Sequence, residues 1–175
     1  MAIPSPHQLA QLPIITCLAA LRGIANRSDR LSVTQATHAR LASQWRRNPN
    51  FVRSNAAQLV DGVHAHFRHC FSALSKENGN GDDTIRRFVA FSNELNLHHA
   101  IEDGVWFPRL ARFHTELQLE LLLLEDDHRA FVALESRIEE GDTLALREFI
   151  ENLNDHMDRE EMITVPFLMD GTGGL

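Results

Sequence analysis

Histidine and glutamate recur in this chain at a spacing suited to metal ligation. His98 is followed by Glu102, and His156 is followed by Glu160, each four residues later. On an α-helix, a separation of four residues turns the side chain by about 40° and moves it about 6 Å along the axis. Both members of each pair can therefore point toward one metal ion, or toward two ions that lie a few ångströms apart.

The two pairs belong to a longer internal repeat. In each copy the histidine is followed by glutamate at the fourth position, a second acid at the fifth and proline at the tenth. The segment before each copy carries a histidine with phenylalanine three residues later. Two copies of one helical hairpin would bring their matched histidines to one shared site. The repeated residues are His64, Phe67, His98, Glu102, Asp103 and Pro108, then His128, Phe131, His156, Glu160, Glu161 and Pro166.

Helices must position these residues, because β-branched residues are sparse and apolar residues recur at helical spacing. Short connections at 78–81 and 141–142 make neighbouring helices antiparallel. The sequence therefore predicts an all-α fold, an up-down-up-down antiparallel four-helix bundle. The predicted helices cover about 50–77, 83–113 (starting at Asp83 or Thr84, with Asp82 or Asp83 as the cap), 115–140, and 142–165 (starting at Asp142 or Thr143), and Pro166 is expected to end the last one.

The first part of the chain, residues 1–49, is expected to form a helical extension that packs on a bundle of residues 50–170. This segment is predicted to form one or two shorter helices. Ser32 and Gln35 form a capping box for the second, which is expected to end near Arg47.

Counting from the shared turns places four histidines at one height. Each lies 13 to 15 residues from the turns that flank it, and a mismatch of two residues is only about 3 Å at a rise of 1.5 Å per residue. With the two glutamates they form one candidate metal site. Four imidazoles and two carboxylates suit iron, or another first-row metal, better than magnesium or calcium. The candidate ligands are His64, His98, Glu102, His128, His156 and Glu160.

Further histidines and acids lie outside this set of six. His7, His38 and His114 are expected to face solvent, and Asp127 is a candidate for orienting a neighbour. The acids at the fifth position are turned by about 140° from their histidine and are less suited to ligation. Whether His99, Asp103 or Glu161 joins the ligands is left open by the spacing.

Composition excludes several function classes. The net charge of −7 argues against nucleic-acid binding, and the chain has no apolar run long enough to span a membrane. The two cysteines, Cys17 and Cys70, have no CxxC spacing, which favours a reducing cytoplasm. The chain contains no tyrosine, so a tyrosyl radical mechanism is excluded.

The histidine and glutamate pattern, with Phe107-Pro108 and Pro166 after the two pairs, resembles the hemerythrin-like, or HHE cation-binding, domain over about residues 50–168. The resemblance implies a four-helix bundle with two non-haem iron ions, bridged by an oxo or hydroxo group and two carboxylates. Members of this family bind or sense O₂, store iron, or repair nitrosatively damaged iron–sulfur clusters. It implies binding of a small ligand such as O₂, NO or peroxide rather than turnover, and indicates no particular protein partner.

Three alternatives remain open from the sequence. O₂-carrying hemerythrins have a further histidine four residues before the third-helix ligand, where this chain has Leu124, so its four-histidine set resembles the iron–sulfur repair branch more closely. A ferritin-like di-iron oxidase would instead use Asp61-x-x-His64 and Glu125-x-x-His128. A metal-free helical interaction module would need an apolar layer where the four histidines lie.

Overall fold

The computed structural model describes residues 3–76 and 81–171 and confirms the all-α prediction: these residues form helices and no strand. The expected end of the first long helix at Glu77 and the loop at 78–80 lie outside the described residues. The α-helices are α1 (Pro6–Leu9), α2 (Ile14–Arg22), α3 (Arg27–Trp45), α4 (Pro49–Arg53), α5 (Ala65–Lys76), α6 (Gly81–Ile101), α7 (Phe107–Phe113), α8 (Gln118–Glu139) and α9 (Thr143–Met169). Two π-helical segments, π1 (Gln58–His64) and π2 (Glu102–Trp106), and a 3₁₀ turn (Thr115–Leu117) complete the fold.

Capping residues explain where two of these helices begin. The Asp142 carboxylate accepts hydrogen bonds from the amides of Leu144 and Ala145, as expected for the start of α9. The predicted capping box at Ser32 is wrong, because Ser32 lies inside α3. That helix begins earlier, at a cap in which the Asn26 side chain accepts from the amide of Asp29.

The first long helix is interrupted, and the second begins slightly earlier than expected. Ser54 has extended backbone angles (φ −99°, ψ 176°) and separates α4 from the helix that continues into π1. The second helix begins at Gly81 rather than Asp83, which puts Asp82 and Asp83 in its first turn, where acids favour the positive end of the helix dipole.

The two repeat prolines are both accommodated within helical segments. Pro108 follows π2, in which the amide of Phe107 bonds to the carbonyl of Glu102, five residues back. The predicted end of the last helix at Pro166 is wrong, since α9 continues to Met169. Proline removes one backbone donor, but the buried residues Val165 and Leu168 hold the final turn against an apolar cluster.

Two apolar clusters lie on either side of the histidine positions along all four long segments. The first cluster contains Leu124, Trp106 and Ile163, together with residues of the first 54 positions. The second contains aromatic residues such as Phe71 and Phe149. In each segment the candidate ligands fall between members of the two clusters, so the polar groups form one layer inside an otherwise apolar interior.

The first part of the chain packs against the same helices. Helix α3 contacts α9, and Leu9 and Leu18 belong to the first apolar cluster. The division of the chain at residues 49 and 50 stays a prediction. None of the helices in the described residues is both long and apolar enough to cross a membrane.

Phe149→Ala should strongly destabilise the fold. Phe149 is fully buried, and its ring centroid lies 5.1–5.2 Å from those of Phe71, Phe88 and Phe131. We expect urea unfolding to show a loss of about 3–5 kcal/mol, because removal of the ring leaves a cavity. Phe113→Ala, at a ring that is 63% exposed, should change stability by less than about 0.5 kcal/mol, and equal losses would contradict the assigned core.

Candidate metal centre

The six predicted ligands meet in the polar layer between the apolar clusters. The Nε2 atoms of His64 and His98 are 3.3 Å apart, and those of His128 and His156 are 3.1 Å apart. Glu102 and Glu160 lie between these two pairs of rings. The remaining short contacts are His98 Nε2–Glu102 Oε1 2.9 Å, His128 Nε2–Glu102 Oε2 3.6 Å, His64 Nε2–Glu160 Oε2 3.2 Å and His156 Nε2–Glu160 Oε2 3.7 Å.

These contacts define two adjoining groups of donor atoms, each compact enough to surround one cation. Within each group, all ligand atoms lie within 4.8 Å of one another. Glu102 belongs to both groups, and it offers one oxygen to a histidine on each side. One group contains His64, His98, Glu102 and Glu160, and the other contains His99, Glu102, His128 and His156.

The two carboxylates of the layer lack the hydrogen bonds that buried charges need. Glu102 is 1% exposed and Glu160 is 0% exposed. Among the described residues, their nearest polar neighbours are the imidazole Nε2 atoms, and none of these contacts has good hydrogen-bond geometry. Burying a carboxylate without compensation is very unfavourable. The layer therefore has the chemistry of a cation site, and its nitrogen and oxygen donors fit a first-row transition metal.

Carboxylates on the outer side fix three of the imidazole rings. The Nδ1 atom of His64 lies 2.9 Å from Glu161, and the corresponding distances are 2.8 Å for His128 to Asp103 and 3.2 Å for His156 to Asp127. A carboxylate accepts a hydrogen bond from the protonated Nδ1 atom, which leaves the Nε2 lone pair facing the interior. This is the arrangement in which protein histidines usually ligate metals.

The acids at the fifth position of each repeat therefore act on a histidine of another helix. Asp103 and Glu161 do not point into either donor group. The sequence repeat contained the signal for them, but helical geometry within one helix could not show the cross-helix contact. The role suggested for Asp127 agrees with its position beside His156.

The pKa values in the layer show how strongly its groups interact. Burial would lower the pKa of His64, but Glu160 and Glu161 outweigh it and raise that pKa to about 9. Burial lowers the pKa of His98 to about 4, and burial together with His156 lowers that of His128 to about 4.

The carboxylates respond in opposite directions. Burial and the neighbouring Glu160 raise the pKa of Glu102 well above its ordinary value. His64 outweighs burial at Glu160 and lowers its pKa. The two buried carboxylates therefore strongly affect each other and the surrounding imidazoles.

The π-helical segments help to place two of the candidate ligands. His64 is the last residue of π1, and Glu102 is the first residue of π2. A π-helical turn contains an extra residue and shifts the angular position of everything that follows it. Such turns are frequent at functional sites.

Sequence reasoning missed a second network behind His64. His38, expected in solvent, has a side chain that is only 12% exposed, and its ring nitrogens lie 2.6 Å from Glu161 and 3.2 Å from Asp158. Arg68 bonds to the same two acids at 2.6 and 2.8 Å. Helix α3 therefore helps to hold the carboxylate that orients His64.

His99 lies closer to the centre than the other unassigned histidines. It is buried and stacks on His128, with ring centroids 3.8 Å apart and planes inclined by 11°. Burial and the neighbouring His128 lower its pKa. Its distance from Glu102 places it in the second donor group. His7 is exposed as expected, whereas His114 has a side chain that is 17% exposed and packs on Phe167.

The residues required by a ferritin-like site lie elsewhere. Asp61 is exposed and paired with Arg46 at 2.5 Å. Neither Asp61 nor Glu125 belongs to a donor group, whereas His98 and His156 do. Leu124, where O₂ carriers have a further histidine, is fully buried in the first apolar cluster.

Comparison with known proteins agrees with this geometry. The family model described as "Hemerythrin HHE cation binding domain" matches residues 55–168, which include all six candidate ligands. No curated protein and no solved structure matches the chain.

Asp103→Ala should weaken metal binding without unfolding the chain. The substitution frees the Nδ1 atom of His128, and the loss of such an outer partner usually lowers metal affinity about 10- to 100-fold. Competition with a chelator, with iron as the metal, measures this change. Asp126→Ala removes an exposed acid that pairs with Arg129 and serves as the control. Equal affinities for the two variants would contradict the orienting role of Asp103.

Proposed function

Because the chain belongs to the family of hemerythrin HHE cation-binding domains, we propose that it holds two non-haem iron ions and binds or senses a small ligand such as O₂, NO or peroxide. One observation carries the proposal: two compact donor groups adjoin in a buried layer and share Glu102. Two cations placed side by side would use every donor of this layer. Bound iron supplies a redox-active centre that attracts small molecules of this kind.

The residues of the layer have distinct roles in this proposal. His64 and His98 would hold one ion, and His128 and His156 would hold the other. Glu102 and Glu160 each lie within 3.7 Å of a histidine from both pairs and would supply carboxylate oxygens to the ions. The carboxylates bonded to Nδ1 atoms keep the ligating nitrogens aimed inward.

A cavity gives small molecules a route to this centre. It has a volume of about 250 Å³ and reaches both His98 and Glu102. Its walls include the apolar residues Val63 and Trp106 and the exposed Gln58. A small uncharged ligand crosses such a lining more easily than a hydrated ion, which supports a diatomic gas or peroxide as the ligand.

We also propose that α5, α6, α8 and α9 form the up-down-up-down bundle. Contacts between α5 and α9 run in opposite directions along the two helices, since Arg68 meets Asp158 whereas Phe71 meets Phe149. A cytoplasmic location is proposed on the evidence of Cys17 and Cys70, which are both buried and not joined in a disulfide.

Iron–sulfur cluster repair is the second candidate. Leu124, which is buried at the position where O₂ carriers have a further histidine, favours it over reversible O₂ carriage. Cys17, in the extension, is 1% exposed, and burial raises its pKa to about 11. A thiol of this kind is a poor nucleophile, so we place ligand binding first.

Iron content distinguishes the proposed ligand set from the ferritin-like one. Purified protein should contain two iron ions per chain, one for each donor group. His156→Ala removes a donor and should strongly lower the iron content, whereas Glu125→Ala should leave it near that of the unmodified protein. Elemental analysis gives the answer, and the reverse pattern would favour ferritin-like ligation. Consistent recovery of zinc without iron after expression in iron-rich medium would contradict the di-iron proposal.

Val63→Phe should slow ligand entry while preserving the metal site. A larger side chain at Val63 narrows the cavity that reaches His98, and we expect NO to associate at least several-fold more slowly in stopped-flow absorption. Val132→Phe, at a residue that is 55% exposed, is the matched control. Unchanged NO kinetics in Val63→Phe with a normal iron content would show that ligands enter elsewhere.

A further inference from the structure

A second cavity lies between the first part of the chain and helices α8 and α9. Its volume is about 310 Å³, at the small end of the range for ligand pockets. Helices α2 and α3 contribute Leu18, Arg30 and Thr34, and the opposite wall includes Phe131 and Asp155. None of the six candidate metal ligands lines it, although Asp127, which holds the Nδ1 atom of His156, does. The cavity therefore adjoins the metal centre without containing any of its candidate ligands.

Thr34 has a buried hydroxyl that the protein leaves unbonded. The residue is 1% exposed, and its Oγ1 atom has no hydrogen-bond partner among the described residues. Buried threonines in helices usually bond to the carbonyl four residues back. Thr37, in the same helix, does so to Val33 at 2.7 Å, and Thr164 bonds to Glu160 at 2.9 Å. Thr34 makes no such hydrogen bond, and it lines the cavity.

Arg30 lies one turn before Thr34 on the same face of α3. Three other arginines of the cavity are paired: Arg22 with Glu120, Arg27 with Glu151 and Arg159 with Asp155. Within the described part of the chain Arg30 has no carboxylate partner, and its one hydrogen bond is a long contact of 3.4 Å to the carbonyl of Ile24. A guanidinium and a hydroxyl side by side are well suited to bind a carboxylate.

The opposite wall supplies a hydrogen-bond acceptor. The Oδ2 atom of Asp155 accepts from Arg159 at 2.9 Å, but its buried Oδ1 atom has no partner among the described residues. A buried carboxylate oxygen without a donor is unfavourable. A hydroxyl or amino group on a ligand would satisfy it.

We propose that this cavity binds a small carboxylic acid that also carries a hydroxyl or amino group. The carboxylate accepts hydrogen bonds from Arg30 and Thr34, and the second polar group donates to Asp155. The apolar side chains of Leu18 and Phe131 contact the carbon chain between them. This site depends on residues before position 55, outside the part of the chain that the family model matches.

Titration calorimetry on the full iron-loaded chain tests the proposal with three probes. L-lactate has both polar groups, propionate lacks the hydroxyl, and propane-1,2-diol lacks the carboxylate. We expect one lactate per chain with a Kd of about 1 mM or tighter, weaker binding of propionate, and no binding of the diol. Absence of saturable lactate binding would overturn the site, and equal affinity for propionate would overturn the role of Asp155.

Variants distinguish this cavity from coordination of lactate by iron. Arg30→Gln should weaken lactate binding roughly tenfold, and Thr34→Val roughly threefold. Thr37→Val, which removes a buried but bonded hydroxyl, and Arg112→Gln, which changes an exposed arginine outside the cavity, should leave it unchanged. Lactate binding that is unaffected by Arg30→Gln would place the ligand elsewhere and overturn the proposal without affecting the proposed iron site. Melting temperatures of all four variants verify that they fold.

Discussion

Burial of negative charge is the constraint on which this structure depends. Glu102 and Glu160 lie in a layer enclosed by two apolar clusters, and within the described residues their oxygens contact only imidazole nitrogens in poor hydrogen-bond geometry. Removing one partner from a buried ion pair usually costs about 3–5 kcal/mol, since the other charge stays uncompensated. A cation held between carboxylate oxygens and imidazole nitrogens compensates both. Stability of the bundle and affinity for a metal are therefore two aspects of one electrostatic problem.

The contacts that orient the imidazoles reach the outer helices of the structure. Glu161 fixes His64, and it is itself held by Arg68 and by His38 from α3. Breaking a buried network of this kind affects each of its members, because a charge that loses its partner cannot regain water. The segment before the family-matched region thus contributes to the metal centre although it supplies none of the six candidate ligands.

The sequence identified the candidate ligands because helical periodicity determines which side chains share a face. The spacing of His98 to Glu102 and of His156 to Glu160 indicated four of them, and the internal repeat and the distances from the turns added His64 and His128. It could not show that Glu161 contacts His38, which lies 123 positions earlier in the chain, since such contacts depend on tertiary packing. The π-helical turns and the continuation of α9 past proline were missed for a related reason: local hydrogen-bond register is determined by packing and is not encoded in the apolar pattern.

One departure from the internal repeat makes the two sides of the layer unequal. Asp127, directly before His128, holds the Nδ1 atom of His156, whereas the matching residue before His64 is Val63. His98 accordingly has no carboxylate at its Nδ1 atom among the described residues, and its side chain is 17% exposed, compared with 1% for His156. On the side that contains His128 and His156, both rings have a carboxylate at Nδ1, which resists rearrangement of these two ligands. The side that contains His98 borders the apolar cavity, so a change of coordination that admits a small molecule meets less structural resistance there.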